Sequence, residues 1–551
     1  MIRNKVSKLV EYVWERMGYD KCQFQIDIPP KEINADFAAS ICMTGARILK
    51  KAPRALADEF IKTIQRENIG SDIIESVSIA GPGFINFVLK KNVYIEELER
   101  IFREKDKYGY SAQNKDKRVL IEFVSANPTG PLHIGHGRGA VLGDTMARIL
   151  EASGAYVERE YYVNDFGNQI DILGRSVELR IRELNGEKVE FPENYYKGEY
   201  IVDIAKKIIS MIDENNEVDS DFIKREAGEY VLGAIKNDLA EFGVIFDTWF
   251  HESALYNDDH KKEYIDKTLE MLKQKGFIFE KDGAWWLKAM SENEDEKDRV
   301  VIRADGRPTY FASDIAYHYH KYKRGFNQLI DVWGADHHGY IPRLKAAVSY
   351  LGYDPDSLGI MLYQLVNLFR NGTKVAMSTR QGEFVTLKEV LDEVGSDAAR
   401  FFMLMRSGDS PVDFDLELAK KQSNDNPVYY VQYAHARVSS IFREAEKENN
   451  YSFEEAFKEI DNYIGDNELE VIKEITRIPE VLRRCVREYS PHFMTSYLQE
   501  VAAAFHSYYN KQRVITDDNK STRARLIMCS AVAAVIKNGL NILGISAPEK
   551  M

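Results

Sequence analysis

Two histidines one helical turn apart, His133 and His136, stand with Gly135 between them in the segment Asn127-Pro-Thr-Gly-Pro-Leu-His-Ile-Gly-His136. The start of a helix offers unpaired backbone N–H groups and the positive end of the helix dipole, which favour phosphate. Histidines at this spacing can both donate hydrogen bonds to phosphate oxygens. Gly135 lacks a side chain and lets a flat base or sugar approach the backbone, and Pro128 and Pro131 stiffen the loop ahead of it. The rival reading is a metal site. Zinc would want a third His, Cys or acid at a recognisable spacing, and the chain has no HExxH pattern. A bare HxxH is a weak signal, so its surroundings decide its weight.

Before the pair lies Val119-Leu-Ile-Glu-Phe-Val124, with the character of a buried parallel strand. Over 132–152 the residues Val141, Leu142, Met146, Ile149 and Leu150 recur at helical spacing, and Gly154 marks the end. Residues 156–163 read as a second strand. Such a strand–loop–helix–strand unit opens a doubly wound nucleotide-binding fold. The alternation returns with a strand at 329–333, a helix at 342–351 and a strand at 359–368. A charged, largely helical insertion, about 178–297, separates the two halves. Nearer the N-terminus, 37–64 carries helical periodicity, 75–88 reads as two short strands around a Gly-Pro-Gly turn, and 111–117 as a charged linker. From about Asn426 the pattern is almost wholly helical, at 431–446, 467–488, 491–510 and 522–543.

With 551 residues the chain can bury more than one core. A hydrophobic fraction of 44% and a charged fraction of 29% suit a soluble globular protein. No apolar run reaches the roughly 20 residues of a membrane helix, and the first residues lack the apolar core of a secretory signal. The four cysteines, Cys22, Cys42, Cys485 and Cys529, are scattered without a CxxC pair. They fit a reducing cytoplasm and argue against a disulfide framework or a zinc ribbon. A net charge of −13 looks wrong for a nucleic-acid partner, yet a basic stripe can coexist with an acidic remainder. Local clusters exist at Lys50, Lys51 and Arg54, at Arg483, Arg484 and Arg487, and at Lys511, Arg513, Lys520, Arg523 and Arg525. Taken alone, each reads more readily as a solvated helix face, and composition leaves the partner open.

The histidine segment, extended to Ser125-Ala-Asn-Pro-Thr-Gly-Pro-Leu-His-Ile-Gly-His-Gly-Arg-Gly139, resembles the HIGH signature of class I aminoacyl-tRNA synthetases, in its arginyl form. Further arginyl-type segments follow in order: 162–169, 246–253, 308–314, 334–339, 430–437 and 538–551. Ala80-Gly-Pro-Gly-Phe-Ile-Asn-Phe87 is similar to the N-terminal domain with which arginyl enzymes touch the tRNA elbow. The resemblance covers essentially the whole chain. It implies an α/β, Rossmann-like catalytic domain at 113–425, a small α+β N-terminal domain at 1–112 and an all-α anticodon-binding bundle at 426–551.

By the same resemblance, His133, His136 and Gly135 belong to the ATP site with Asn127, Pro128, Leu132, Gly137, His337, Met377 and Ser378. Asp314 and Tyr310 match the positions that hold the guanidinium, with Glu252 as the second acid. A guanidinium is always charged, planar and a five-fold donor, so its pocket needs carboxylates and aromatic faces. Bidentate carboxylate contacts would also reject lysine and citrulline. Glu122, Ser125 and Asn127 fall to the amino and carboxylate end of arginine, and Asp165 and Gln169 to the amino-acid side of the pocket. Phe84, Asn86, Tyr430, Tyr433, Arg437, Tyr508, Tyr509 and Arg513 are candidates for tRNA(Arg), and some of the tyrosines are expected to pack the bundle instead.

One departure concerns the KMSKS loop, whose lysines neutralise departing pyrophosphate. Here the run is Lys374-Val-Ala-Met-Ser-Thr-Arg380, so Ala376 and Thr379 stand at both lysine positions. Gly130, Pro131 and Leu132 supply no compensating lysine ahead of His133. The charge then falls to Lys374 and Arg380. The resemblance implies arginine activation with ATP and Mg2+, no dedicated protein metal site, and a monomer. Two rivals stay open: another class I synthetase, such as the cysteinyl enzyme with its zinc-ligating cysteines, and a non-catalytic tRNA-binding paralogue.

Overall fold

The computed structural model describes residues 1–30, 32–211, 219–255, 262–289, 297–375, 385–448 and 456–551. The N-terminal part runs α1 (Ile2–Arg16), β1 (Ile26–Asp27), β2 (Phe37–Ala39), α2 (Ile41–Leu49), α3 (Pro53–Glu67), β3 (Ile74–Ala80), β4 (Phe84–Leu89) and α4 (Lys91–Glu104). Its strands form an antiparallel sheet in the order β1-β2-β4-β3. The β3–β4 hairpin turns at Gly81-Pro82-Gly83 as its sequence predicts. The helix expected from Phe37 starts later. Phe37 and Ala39 alternate inward as a strand between β1 and β4, and the helical face begins only at Ile41.

The central part contains β5 (Arg118–Glu122), α5 (Ile134–Ala152), β6 (Tyr156–Val163), α6 (Asn168–Leu184), α7 (Glu199–Met211), α8 (Ser220–Glu241), β7 (Thr248–His251), α9 (Lys262–Gln274), β8 (Ile278–Lys281), β9 (Ala284–Leu287), β10 (Arg299–Ile302), α10 (Tyr310–Lys323), β11 (Gln328–Gly334), α11 (Ile341–Leu351), β12 (Leu358–Tyr363), β13 (Val366–Arg370), β14 (Thr373–Lys374), α12 (Leu387–Val394), α13 (Ser396–Leu404), β15 (Val412–Asp415) and α14 (Leu416–Lys420). Five strands make a parallel sheet in the order β12-β11-β5-β6-β7. Helix α5 is buried almost along its whole length. It lies so close to the end of β5 that a Cβ on Gly143 would stand 2.2 Å from the Phe123 ring, so only glycine fits there.

Two expectations for this part change. The insertion is largely helical, in α7, α8 and α9, but it also contributes strands. Thr248-Trp-Phe-His251 is the edge strand β7, whose Trp249 stacks on Tyr161 at 4.5 Å, and β8, β9 and β10 form an antiparallel sheet of their own. The single strand expected over 359–368 is two strands in different sheets. The break falls at Gln364, whose N–H donates to Gly408 and whose carbonyl accepts from the buried Arg138 guanidinium at 2.7 Å. Those bonds replace the ladder and let the chain change sheet.

The C-terminal part is α15 (Pro427–Glu448), α16 (Asp466–Ile475), α17 (Ile478–Glu488), α18 (His492–Lys511) and α19 (Asn519–Leu543). The helix expected over 467–488 divides into α16 and α17, because Pro479 in the first turn of α17 lacks the N–H a continuous helix needs. Although the sequence holds no uninterrupted apolar run of membrane-helix length, α19 alone among the described residues is long and, on average, apolar enough to cross a membrane, and it is the packed core helix of this bundle. Arg400 of α13, wholly buried, joins the parts. It donates to Leu543 O at the end of α19, to Phe242 O just after α8, and to Asp144 Oδ2 of α5 at 2.7, 3.1 and 2.5 Å.

Candidate active site

A cleft of about 1120 Å³ opens at the carboxyl ends of β5 and β11. Chain connections leave these neighbouring strands in opposite directions, and open α/β sheets bind ligands at such a point. The end of β5 is bent by two successive non-glycine residues in the left-handed region, Val124 (φ 67°) and Ser125 (φ 41°). Both line the cleft, where stored backbone strain is common.

His133 is the N-cap of α5 and His136 sits in its first turn. Each Nδ1 accepts the other residue's backbone N–H at 3.3 Å, and the rings stack with centroids 3.6 Å apart. An imidazole that accepts through Nδ1 carries its proton on Nε2, so both rings are neutral Nε2–H donors at a helix N-terminus. Burial holds both below the ordinary histidine range, His136 at about 3. A Cβ on Gly135 would lie 2.9 Å from the His133 ring. The glycine therefore makes room for the histidine stack as well as for a ligand. Of the other residues expected at the nucleotide, Asn127 and His337 also line the cleft. Pro128, Leu132 and Gly137 are buried outside its lining; Leu132 O accepts the Leu387 N–H at 2.8 Å, and Gly137 faces Leu387. Met377, Ser378 and Arg380 lie outside the described residues, and Lys374 is exposed on β14.

Glu122, Ser125, Asn127, Tyr310 and Asp314 share the cleft wall. Tyr310 opens α10 and is 71% exposed. Asp314, one turn on, accepts the Tyr340 hydroxyl. Burial raises its carboxyl, the Tyr340 bond opposes this, and Glu122 and Asp331 add to the rise. Glu252 is buried behind Tyr162 and is pushed up to about 7 by burial, against a hydrogen bond from Tyr162, with Asp314 and Asp165 adding repulsion. Asp165 does not line the cleft. It accepts from the Ser253 N–H and hydroxyl, and meets His251 Nδ1, each at 2.8 Å, which pins the turn that carries Glu252. Burial raises the Asp165 carboxyl, and these bonds outweigh it and leave it lowered. Gln169 accepts the Asn127 amide at 2.7 Å.

Other cleft residues were not singled out in the sequence: Asp331, His318, Tyr340 and the guanidiniums of Arg299, Arg303 and Arg343, with the buried Lys321 behind them bonded to Glu122 and Asp331. The signal available was Asp331, a lone acid inside the apolar run Leu329-Ile-Asp-Val-Trp333, as Glu122 is inside its own.

Away from the cleft, α15 and α18 assemble four of the tRNA candidates. The Arg437 guanidinium lies over the rings of Tyr433 (4.6 Å) and Tyr509 (4.9 Å), donates to Tyr433 Oη and meets His506 Nδ1 at 3.0 Å. Tyr430 packs on His506 at 4.6 Å. Arg513 is exposed nearby in sequence, while Tyr508 is buried and bonded to Glu468 at 3.0 Å. On the N-terminal hairpin Phe84 is exposed and Asn86 is buried in β4. The basic clusters prove largely paired: Arg483 with Glu480, Arg484 and Arg487 with Glu488, Lys520 with Glu459, and Arg525 with Glu468.

Residues 97–413 match the catalytic domain of the class I tRNA synthetases of the arginine type, 1–89 the arginyl tRNA synthetase N-terminal domain, and 431–551 the DALR anticodon-binding domain. A parallel sheet with the histidine pair at its switch point, joined to a helical bundle of that kind, defines a class I aminoacyl-tRNA synthetase. The arginine–tRNA ligase of Geobacter sp. (strain M21) is 50% identical over 532 residues, 96% of this chain and 94% of that one. That of Syntrophotalea carbinolica is 48% identical, over 96% and 95%. The fold matches Thermus thermophilus arginyl-tRNA synthetase with a TM-score of 0.78 at 22% identity, over the full length of both chains. The chain belongs to the arginyl-tRNA synthetase family.

Proposed function

We propose that the cleft performs both steps of arginine–tRNA ligation with the following division of labour. The arginine carboxylate attacks the α-phosphate of ATP, forming the arginyl–adenylate bond as pyrophosphate departs. The terminal ribose hydroxyl of tRNA(Arg) then attacks the arginyl carbonyl, and AMP leaves. No protein nucleophile is needed; positioning and charge stabilisation carry the reaction. His133 and His136 donate through Nε2–H to phosphate, next to Gly135, Asn127 and His337. Glu122, Ser125 and Asn127, the last backed by Gln169, take the amino and carboxylate end of arginine. Asp314 and Glu252 take the guanidinium beneath Tyr310, with Asp165 fixing Glu252. Lys374 and Arg380 supply charge for pyrophosphate, and Met377 and Ser378 serve ATP binding.

Magnesium enters with ATP. Among the described residues no group of three or more His, Cys, Asp or Glu is arranged to hold a metal ion. The Arg437 cluster and Arg513 read the anticodon by stacking and charge, and Phe84 touches the elbow with Asn86 supporting it from β4. The domain limits we propose are 1–112, 113–425 and 426–551, and the enzyme acts as a monomer in the cytoplasm. Four free thiols, three of them buried, agree with a reducing compartment.

The observation that carries this reading is the pair Asp314 and Glu252. Both are carboxyls pushed up by burial, and neighbouring acids raise each further: Glu122 and Asp331 act on Asp314, and Asp314 and Asp165 on Glu252. Such a pocket is completed by a cation. The test is arginine-dependent ATP–pyrophosphate exchange with and without tRNA. Exchange is expected only with tRNA present. Tight tRNA binding with no exchange in either arm would instead identify a non-catalytic paralogue.

A further inference from the structure

A row of three carboxylates runs across the sheet at the cleft, and two of them, Glu122 and Asp331, line it. In the parallel register Asp331 of β11 lies opposite Glu122 of β5, and Glu122 opposite Glu160 of β6. In-register residues of a parallel sheet share a face, and helix α10 covers this one. Lys321 of α10 is fully buried, its Nζ 2.5 Å from Glu122 Oε2 and 3.0 Å from Asp331 Oδ1. One turn earlier Tyr317 donates to Glu160 Oε1 at 2.6 Å. His318 meets Asp331 Oδ2 at 2.9 Å and donates to the backbone carbonyl of Asp314 at 2.8 Å.

Positions 314, 317, 318 and 321 recur at i, i+3, i+4 and i+7, one face of the helix. The helix that brings Tyr310 and Asp314 to the cleft is thus keyed to the sheet by charge. Burial by itself would lower the Lys321 pKa; Asp331, Glu122 and Glu160 outweigh it and keep the ammonium charged. A buried ion pair with only a fastening role is often replaced by apolar packing without loss. Glu122 differs because it lines the cleft. Its Oε2 takes Lys321, its Oε1 takes the Ser125 hydroxyl at 2.9 Å, and a carboxylate with about four lone-pair sites keeps capacity for one more donor.

We propose that Lys321 is a positioning residue for arginine. It fixes Glu122 to receive the substrate's α-ammonium group. Through Asp331 and His318 it ties that carboxylate to the turn of α10 bearing Asp314, so the two cation-binding ends of the pocket stand at a set separation. The proposal rests on the assignment of Glu122 to the amino end.

Binding of L-arginine and of 5-guanidinopentanoate, which lacks the α-amino group, is measured by calorimetry on the full chain with tRNA present. Lys321→Met is expected to weaken arginine about tenfold or more and the analogue by no more than about threefold, because only the contact with a charged amino group is lost. Equal losses for both ligands, as a merely structural residue would give, or no loss at all, overturn the proposal. Lys321→Arg keeps the charge and should restore most of the arginine preference. If Lys321→Met does not fold, Lys321→Met with Asp331→Asn removes one orphaned charge and is read the same way. Glu122→Gln separates the two assignments. An unchanged preference there refutes Glu122 as the amino-group acceptor. A lost preference there, with the Lys321 variants unaffected, keeps that assignment and refutes the role of Lys321.

Discussion

His133 and His136 cap each other: the Nδ1 of each accepts the backbone N–H of the other across a ring stack tilted by only 16°. The arrangement orients both Nε2–H groups and leaves both rings half-buried at the cleft wall. It also makes their protonation costly.

That cost has a pH signature. A base with a depressed folded-state pKa takes its proton first in the unfolded chain. The linked stability is intact above about 6.5 and is lost as pH falls from there toward about 3 for His136. Urea unfolding at a series of pH values should show this loss, and His136→Gln should flatten it. The same variant should slow pyrophosphate exchange by about 10²–10³, the usual cost of losing one well-placed donor.

Glu252 has the opposite sign. Its carboxyl is held up at about 7 against an ordinary 4.5, so its contribution to stability is full below 4.5 and is lost as pH rises through 7. Arginine needs the charged form. The KM for arginine should therefore fall about tenfold as pH rises from about 6 to about 8, as a group titrating near 7 becomes ionised. Glu252→Gln should abolish that dependence and keep the KM high. A pH-independent KM in the wild type would count against a guanidinium contact.

Replacing Lys374 and Arg380 together by alanine should lower pyrophosphate exchange by about 10²-fold while leaving arginine binding unchanged, since the loss falls on developing phosphate charge. Unchanged exchange would remove these residues from the phosphate site.

Arg437 lies between two tyrosine rings. Arg437→Ala should weaken tRNA binding by about 1–3 kcal/mol, in the range of a lost stacking contact. Filter binding with an anticodon-loop variant tRNA should show the loss shrink if the contact is to that loop.

Gly143→Ala tests the seating of α5. The added methyl meets the Phe123 ring at 2.2 Å, so the melting temperature should fall, with a cost of about 1–3 kcal/mol typical of overpacking.

The parts of this fold that were legible in the sequence are those fixed by local pattern. The run ending at Val124, the helical spacing after Leu132 and the strand Tyr156–Val163 each announce themselves within a dozen or so residues, and so does the histidine pair at their junction. The edge strand β7 was hidden because four residues inside a helical region carry too little periodicity to be read. The break at Gln364 depends on Arg138, 226 positions away. The carboxylate row was invisible for the same reason: Lys321 and Glu122 are 199 residues apart, and only the register of three strands brings their partners level. Asp165 is expected at the pocket, but its carboxylate is engaged by Ser253 and His251, 88 and 86 residues away in sequence, and it stands outside the cleft lining.

Arg400 bears on how the chain reaches this state. Its three partners, at 144, 242 and 543, lie 256, 158 and 143 residues away from it. Contacts that close such long loops form late, because the entropy of closing them must be met before they contribute. Through Arg400 the end of the last helix is bonded into the same buried cluster as Asp144 of α5. Unfolding should accordingly be one cooperative event across both regions rather than the release of a tethered appendage.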